Sequence, residues 1–153
     1  MLHIVLCEPE IPSNTGNIIR LCANTGAALH LIHPLGFQWD SAKLRRAGLD
    51  YYDWVGVQHY SSLQAFCEAT AYTRLLAFST KGQRFYHDMA YQPGDALLFG
   101  QETAGLPAHI LHSFSPEHVL RQWCRLIEDL HGDAPSRPAE ATTTVLRPSE
   151  AGQ

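Results

Sequence analysis

The sequence predicts an α/β domain: a parallel sheet with helices on both faces. Three observations carry the prediction. Leu2–Cys7 (LHIVLC) and Ala96–Phe99 (ALLF) are apolar runs without internal alternation, the pattern of strands buried on both sides. Polar loops that end in helix-capping residues follow such runs, beginning with Ser13–Asn14 after the first. The alternation of strand and helix then continues down the chain, as a sheet assembled from βαβ units requires. The 153 residues suit one domain with a sizeable core.

Taken in order, Leu2–Cys7 is a central strand, and Pro9 and Pro12 then exclude regular pairing. Ser13 or Asn14 caps a helix from Thr15 to about Thr25. Ile18, Leu21 and Cys22 share its buried face, and Gly26 stands at the left-handed C-terminal position. Ala28–Ile32 is the second strand. A loop with Pro34 and Gly36 leads to a short helix capped by Asp40 or Ser41, running through Arg46 and closed by Gly48. Trp54–Gln58 reads as a third, weaker strand. Ser61 or Ser62 caps a helix through Ala69, and Leu75–Ser79 is the fourth strand. Thr80–Gly94 is irregular. Ala96–Phe99 is the fifth strand, followed by a helix over Pro107–Ser113. Val119, Trp123, Leu126, Ile127 and Leu130 recur at helical spacing, which predicts an amphipathic helix over Glu117–His131. The domain is therefore drawn as 1–131. The tail 132–153 has three prolines and only Val145 and Leu146 as large apolar residues, and is expected to be disordered.

Composition narrows the function classes. No apolar stretch approaches the roughly 18–20 residues a bilayer span needs. The chain enters MLHIVLCEPE without a basic leader, so a cytoplasmic location without membrane contact is expected. Four scattered cysteines without CxxC suggest buried thiols, neither zinc site nor disulfide frame. Of nine histidines, His30 with His33 and His109 with His112 form local pairs lacking a third ligand, so no metal is expected. A net charge of −4 argues against non-specific coating of nucleic acid while leaving room for a local basic face.

Three polar clusters could carry chemistry. Asn14, Asn17 and Arg20 follow one another at i, i+3 on the first helix, and an Arg there suits phosphate or ribose oxygens as well as plain solvation. Lys43, Arg45 and Arg46, with Lys81 and Arg84 later, form either a solvated surface or a phosphate-contact surface. Phe37, Trp39, Tyr51, Tyr52 and Trp54 flank the first patch as stacking platforms or as core. The third cluster is the loop Gly100–Gly105 with Glu102, between a buried strand and a Pro-initiated helix. Ligands of open α/β sheets bind at such carboxyl ends; an ordinary strand-to-helix turn fits too. Neither Gx4GK[ST], nor GxGxxG after the first strand, nor GxSxG occurs. A reaction in which a cofactor brings the reactive group remains.

Three stretches, EPEIPSNTGNIIRLCANTG (Glu8–Gly26), KLRRAGLDY (Lys43–Tyr51) and LLFGQETAGLP (Leu97–Pro107), resemble the SPOUT-class tRNA 2′-O-ribose methyltransferases, above all their wobble-position branch. The likeness runs nearly without gaps from Met1 to about Arg121. It implies a SPOUT-type parallel sheet with a C-terminal trefoil knot and a homodimer. It also implies S-adenosylmethionine as methyl donor and the ribose of the first anticodon nucleotide of tRNA as acceptor. By position, Phe78 and Gly100 would line the adenosyl pocket, with Glu102, Gly105 and Leu106 in the same cofactor loop. Arg20 matches the catalytic arginine, and Asn14 and Asn17 adjoin it. Because a guanidinium stays charged, Arg20 is expected to hold the ribose or its phosphate and to steady the developing oxyanion, not to act as base.

Beyond Arg121 the likeness stops. The family continues with a strand, a Ser/Asn-rich loop and a helix that complete the knot, the cofactor pocket and the dimer face. Here no Asn or Tyr follows Arg121, and Gln122 receives no role. Weakened cofactor binding is expected, and two functions stay open: a tRNA ribose methyltransferase, or a non-catalytic RNA-binding module derived from one.

Overall fold

The computed structural model describes residues 1–54 and 56–121. Seven strands form one sheet: β1 (His3–Cys7), β2 (Ala28–Ile32), β3 (Gln58–Tyr60), β4 (Leu75–Ser79), β5 (Arg84–Phe85), β6 (Ala96–Phe99) and β7 (Val119–Arg121). Their order is β3-β2-β1-β6-β4-β7-β5, with every neighbouring pair parallel. Five α-helices are described: α1 (Pro12–Thr25), α2 (Ser41–Arg46), α3 (Tyr51–Trp54), α4 (Leu63–Ala69) and α5 (Ala108–Leu111).

The alternation of strand side chains sorts the core into two layers. Ile4 and Leu6 of β1 pack with Ile18, Ile19 and Cys22 of α1 on one face. Val5 and Cys7 pack with Phe66 of α4 and Leu106 on the other, where Ile110 and Leu111 of α5 join them. Both faces of the central strands are thus buried, which is why their sequences show no polar alternation. Arg74, entering β4, forms a two-pronged ion pair with fully buried Asp95, entering β6 (Nε–Oδ1 3.1 Å, Nη2–Oδ2 2.6 Å).

The β7 neighbourhood is unusual. β4 and β5 are consecutive in sequence, yet β7 lies between them, so residues 80–83 must cross β7. A parallel crossover ordinarily takes a dozen residues or more; this one takes four. Gly82 makes it feasible, because a Cβ there would stand 2.5 Å from Leu120 C and Arg121 N.

Four expectations need correcting. The first helix begins at Pro12, not Thr15, and Ile11 is its N-cap with no side-chain cap of its own. Proline takes the first turn because it has no N–H to leave unbonded. The third strand is Gln58–Tyr60, not Trp54–Gln58. Asp53 accepts the Asp50 amide (2.8 Å) and turns Tyr51–Trp54 into a helix, burying Trp54. Val119–Arg121 is strand rather than helix, its backbone claimed by β4 and β5; residues 122–131 and the tail 132–153 lie outside the described residues, as does the last part of any knot. Finally, His30 does not pair with His33. His30 Nε2 meets His3 Nδ1 (2.9 Å) and its Nδ1 meets the Tyr60 hydroxyl (2.9 Å), while His33 Nε2 meets His59 Nδ1 (2.8 Å). The Tyr60 proton goes to Gln58 Oε1 (2.6 Å), so His30 donates from Nδ1 and accepts at Nε2 from His3.

Candidate active site at the carboxyl edge of the sheet

β1, β4 and β6 end side by side, so the loops after Cys7, Ser79 and Phe99 share one edge. The loop after β6 folds back on itself. Gln101 and Gly105 exchange backbone hydrogen bonds (3.2 and 2.8 Å), with Gly105 at φ 70°. A Cβ on Gly100 would lie 2.2 Å from Gly105 C and Leu106 N, so only glycine permits this closure. Two amides of this loop are therefore spent inside it.

The loop is also clasped to the start of α1. Glu102 Oε2 accepts the Glu10 amide at 2.7 Å and the Ile11 amide at 3.3 Å. In return, Glu10 Oε1 accepts from Thr103 Oγ1 at 2.7 Å and from the Thr103 amide at 3.2 Å. Glu102 thereby fixes the two residues that lead into α1, and its charge suits the positive end of the helix. Its carboxylate is engaged by the chain itself.

Beside this loop lies a cavity of about 460 Å³, lined by Ser79, Lys81, Gly82, Leu106, His112 and Val119 among others. Its volume falls within the range of small-ligand sites. Leu106 is the sequence-predicted cofactor residue that lines it. Phe78 is buried in the core, its ring stacked on Phe99 at 4.6 Å, so Ser79 takes the lining position at the end of β4. Gly100 and Gly105 shape the loop that carries Leu106. The volume and the mixed lining, apolar at Leu106, Leu111 and Val119 and polar at Ser79 and His112, suit an adenosyl-bearing ligand. The nearby Cys7 thiol, pushed up to about 11 by burial and then by Glu8, is no nucleophile.

Arg20 is exposed on α1. Its Nη1 donates to Asn17 Oδ1 (3.5 Å) and its Nη2 to the Ala47 carbonyl (3.3 Å) at the end of α2. Arg20 of α1 thus meets the C-terminal end of α2 through Ala47, and Lys43, Arg45 and Arg46 of α2 are all exposed. Asn14 lies one turn earlier on α1, half-buried. Lys81 joins the cavity instead of this basic face. Among the described residues, no three His, Cys, Asp or Glu side chains stand close enough to hold a metal ion. Among the described residues no helix is long and apolar enough to cross a membrane. Sequence reasoning missed Glu10 and Thr103, whose partners are some 90 positions away. It also missed Gly82 and His112; only the glycine between Lys81 and Gln83 hinted at a tight passage.

Known proteins resemble this chain in sequence and fold. The tRNA (cytidine(34)-2′-O)-methyltransferase of Escherichia coli (strain K12) is 55% identical over 121 residues, 79% of this chain and 77% of that one. That of Saccharophagus degradans is 55% identical over 121 residues, covering 79% of each. A structure solved for the 2-OH methylation of C/U34 on tRNA aligns at TM-score 0.71 with 40% identity, covering 99% of this chain and 88% of that one. The AdoMet complex of the SpoU methyltransferase AviRb from Streptomyces viridochromogenes shares the fold at TM-score 0.67 and 22% identity, covering 99% of this chain and 56% of that one. Residues 1–119 match the SpoU rRNA Methylase family, and the chain belongs to it.

Proposed function

We propose that the chain transfers a methyl group from S-adenosylmethionine to the ribose 2′-hydroxyl of the wobble nucleotide in the anticodon loop of tRNA, as a cytoplasmic homodimer. One observation supports this most. The 460 Å³ cavity under Leu106 and the Arg20–α2 basic face occur together in a chain 55% identical to tRNA (cytidine(34)-2′-O)-methyltransferases.

Ser79 at the end of β4 and Leu106 would hold the cofactor; Gly100 and Gly105 shape the loop that carries Leu106, and Glu102 positions that loop through the clasp. When bound, S-adenosylmethionine supplies a methyl on a sulfonium sulfur that keeps the electron pair of the broken S–C bond. The chain's own work is at the acceptor. A ribose hydroxyl is a weak nucleophile until its proton leaves, and a permanently charged guanidinium cannot take that proton. Arg20 has five donors, two of them engaged by Asn17 and Ala47; it holds the ribose or its phosphate and stabilises the forming oxyanion. A substrate phosphate or water accepts the proton. Asn14 and Asn17 orient this group, while Lys43, Arg45 and Arg46 neutralise RNA phosphates.

Arg20 lies eight positions beyond Pro12, about 12 Å along α1 away from the carboxyl edge. A symmetric pair that lays α1 of one protomer across the partner's edge would join it to a cavity. Incorporation of labelled methyl into transcribed tRNA, abolished when nucleotide 34 carries a 2′-deoxyribose, tests the reaction. Arg20→Ala is expected to lower kcat by roughly 100-fold or more without weakening cofactor binding. Full rescue by Arg20→Lys, with a pH profile tracking the lysine, would make this residue the base and overturn its assigned role. Partial activity from mixing Arg20→Ala with a Gly100→Ala protomer is expected of a shared site.

A second reading, an RNA-binding module without catalysis, rests on the family match ending at residue 119. Tight tRNA binding with no affinity for S-adenosylmethionine would favour it.

A further inference from the structure

We propose that the open cleft after β2 is a nucleobase subsite, seating an unpaired base of the RNA beside the methylated nucleotide. This rests on the proposed tRNA substrate and adds a specificity site to it. The cleft, about 670 Å³, is lined by His33, Leu35, Phe37, Gln38, Trp39 and Ser41, with Pro34 and Asp40 completing it. Its chemistry is that of base recognition: two aromatic side chains with stacking faces, and the side chains of Gln38, Ser41 and His33 to meet a base edge.

The walls are braced. Trp39 packs against the core and sits edge-on to His59 (centroids 4.6 Å apart), which is itself bonded to His33. Asp40 Oδ1 accepts the Ala42 amide (2.9 Å), fixing the passage into α2. Lys43 follows three residues later, and Arg45 and Arg46 after it, all exposed. An aromatic cleft continuous with a cationic helix complements a nucleotide, with stacking for the base and charge for the flanking phosphates.

The cleft is also tied to the cofactor loop. The Gly36 amide donates to the Pro9 carbonyl (2.9 Å), and a Cβ on Gly36 would press to 2.8 Å from Glu10 Cα. Glu10 in turn is clasped to Thr103 and Glu102. Cleft and cofactor loop therefore belong to one braced edge, where a single RNA loop can touch both. A metal ion is a poorer occupant, since the two histidines bond each other and no third ligand joins them among the described residues.

The test uses the full chain and a transcribed anticodon stem-loop carrying 2-aminopurine at unpaired loop positions. Wild type is expected to quench the fluorophore at one position. Phe37→Ala should lose that quench and weaken RNA binding roughly 5- to 100-fold, the range of a lost base–aromatic stack. Phe37→Tyr should retain both. The slope of log K against log salt should stay as in wild type for Phe37→Ala and become shallower for Arg45→Ala, which removes a phosphate contact. S-Adenosylmethionine titration and thermal melting of each variant verify an intact fold, and exposed Gln38→Ala gives a second, milder loss if Phe37→Ala melts early. Unchanged RNA affinity in both Phe37→Ala and Gln38→Ala, or equal loss in Phe37→Tyr and Phe37→Ala, overturns the subsite while the methyltransferase reading stands. Wild type without affinity for tRNA overturns both.

Discussion

Removing the Glu102 carboxylate should loosen the protein before it touches chemistry. Glu102 is matched by family position to the cofactor loop, yet its carboxylate accepts the amides of Glu10 at 2.7 Å and Ile11 at 3.3 Å. A hydrogen bond to a charged acceptor contributes about 1.5–3 kcal/mol. Here the first bond is short and half-buried, the second long and exposed, so the pair merits about 2 kcal/mol. The favourable charge at the α1 terminus adds about 0.5 kcal/mol. Glu102→Ala should therefore cost about 2–3 kcal/mol, and Glu102→Gln, which keeps an acceptor without the charge, about 1 kcal/mol. Urea unfolding of the two variants measures this. Glu10→Gln should couple to Glu102→Ala in a double-mutant cycle, because both side chains hold the same pair of loops. Affinity for S-adenosylmethionine should fall with stability across the series. A Glu102→Ala protein as stable as wild type but unable to bind the cofactor would refute the clasp and return Glu102 to direct ligand contact.

Two other perturbations have definite signs. Gly82→Ala places a methyl 2.5 Å from the backbone of Leu120 and Arg121, so β7 must shift. A loss of about 1–3 kcal/mol in urea unfolding, with weaker cofactor binding, is expected, and a variant matching wild type in both would show that the crossing is loose. Acid should destabilise the fold through His30, whose pKa burial, and then His3, lowers from 6.5 to about 4. The unfolded chain takes up that proton first as pH falls below 6.5, so stability is full near neutrality and declines toward pH 4 by about 3 kcal/mol at most. His30→Leu should flatten that decline even as it lowers stability at pH 7; an unaltered slope would assign the acid sensitivity elsewhere.

What the sequence revealed follows from where each signal is stored. β1, β2, β4 and β6 are legible because burial on both faces writes itself as a mostly apolar run, interrupted in β2 only by buried His30. β3 is an edge strand of Gln58, His59 and Tyr60 with two of its three residues exposed, and no local pattern marks it. The N terminus of α1 misled because Pro12 opens the helix without a side-chain cap, and the carboxylate that fixes its approach, Glu102, lies in no local window of sequence. Val119–Arg121 misled for the opposite reason. The helical period that starts at Val119 is broken at its first residues, because Val119–Arg121 pair with Ala77–Ser79; its later positions lie outside the described residues. The basic residues of α2 were plain in sequence, but their meeting with Arg20 through Ala47 is a tertiary fact.

The place where family likeness ends decides which function survives. The family match closes at residue 119, within β7, and β7 is the strand that residues 80–83 cross. Gly82 and Val119 both line the 460 Å³ cavity. The last described strand therefore contributes Val119 to the proposed cofactor site. The residues proposed to meet RNA, namely Arg20, Lys43, Arg45, Arg46 and those of the cleft at Phe37, all belong to elements that precede β4. On the proposed function, divergence after Arg121 is expected to act on cofactor affinity and to leave RNA binding by these residues unchanged. Grafting a family-like C-terminal segment after Arg121 should then raise S-adenosylmethionine affinity while the intrinsic contacts of the α2 face with RNA stay as they are. If the graft changes the salt slope of RNA binding and not cofactor affinity, the division of labour drawn here is wrong.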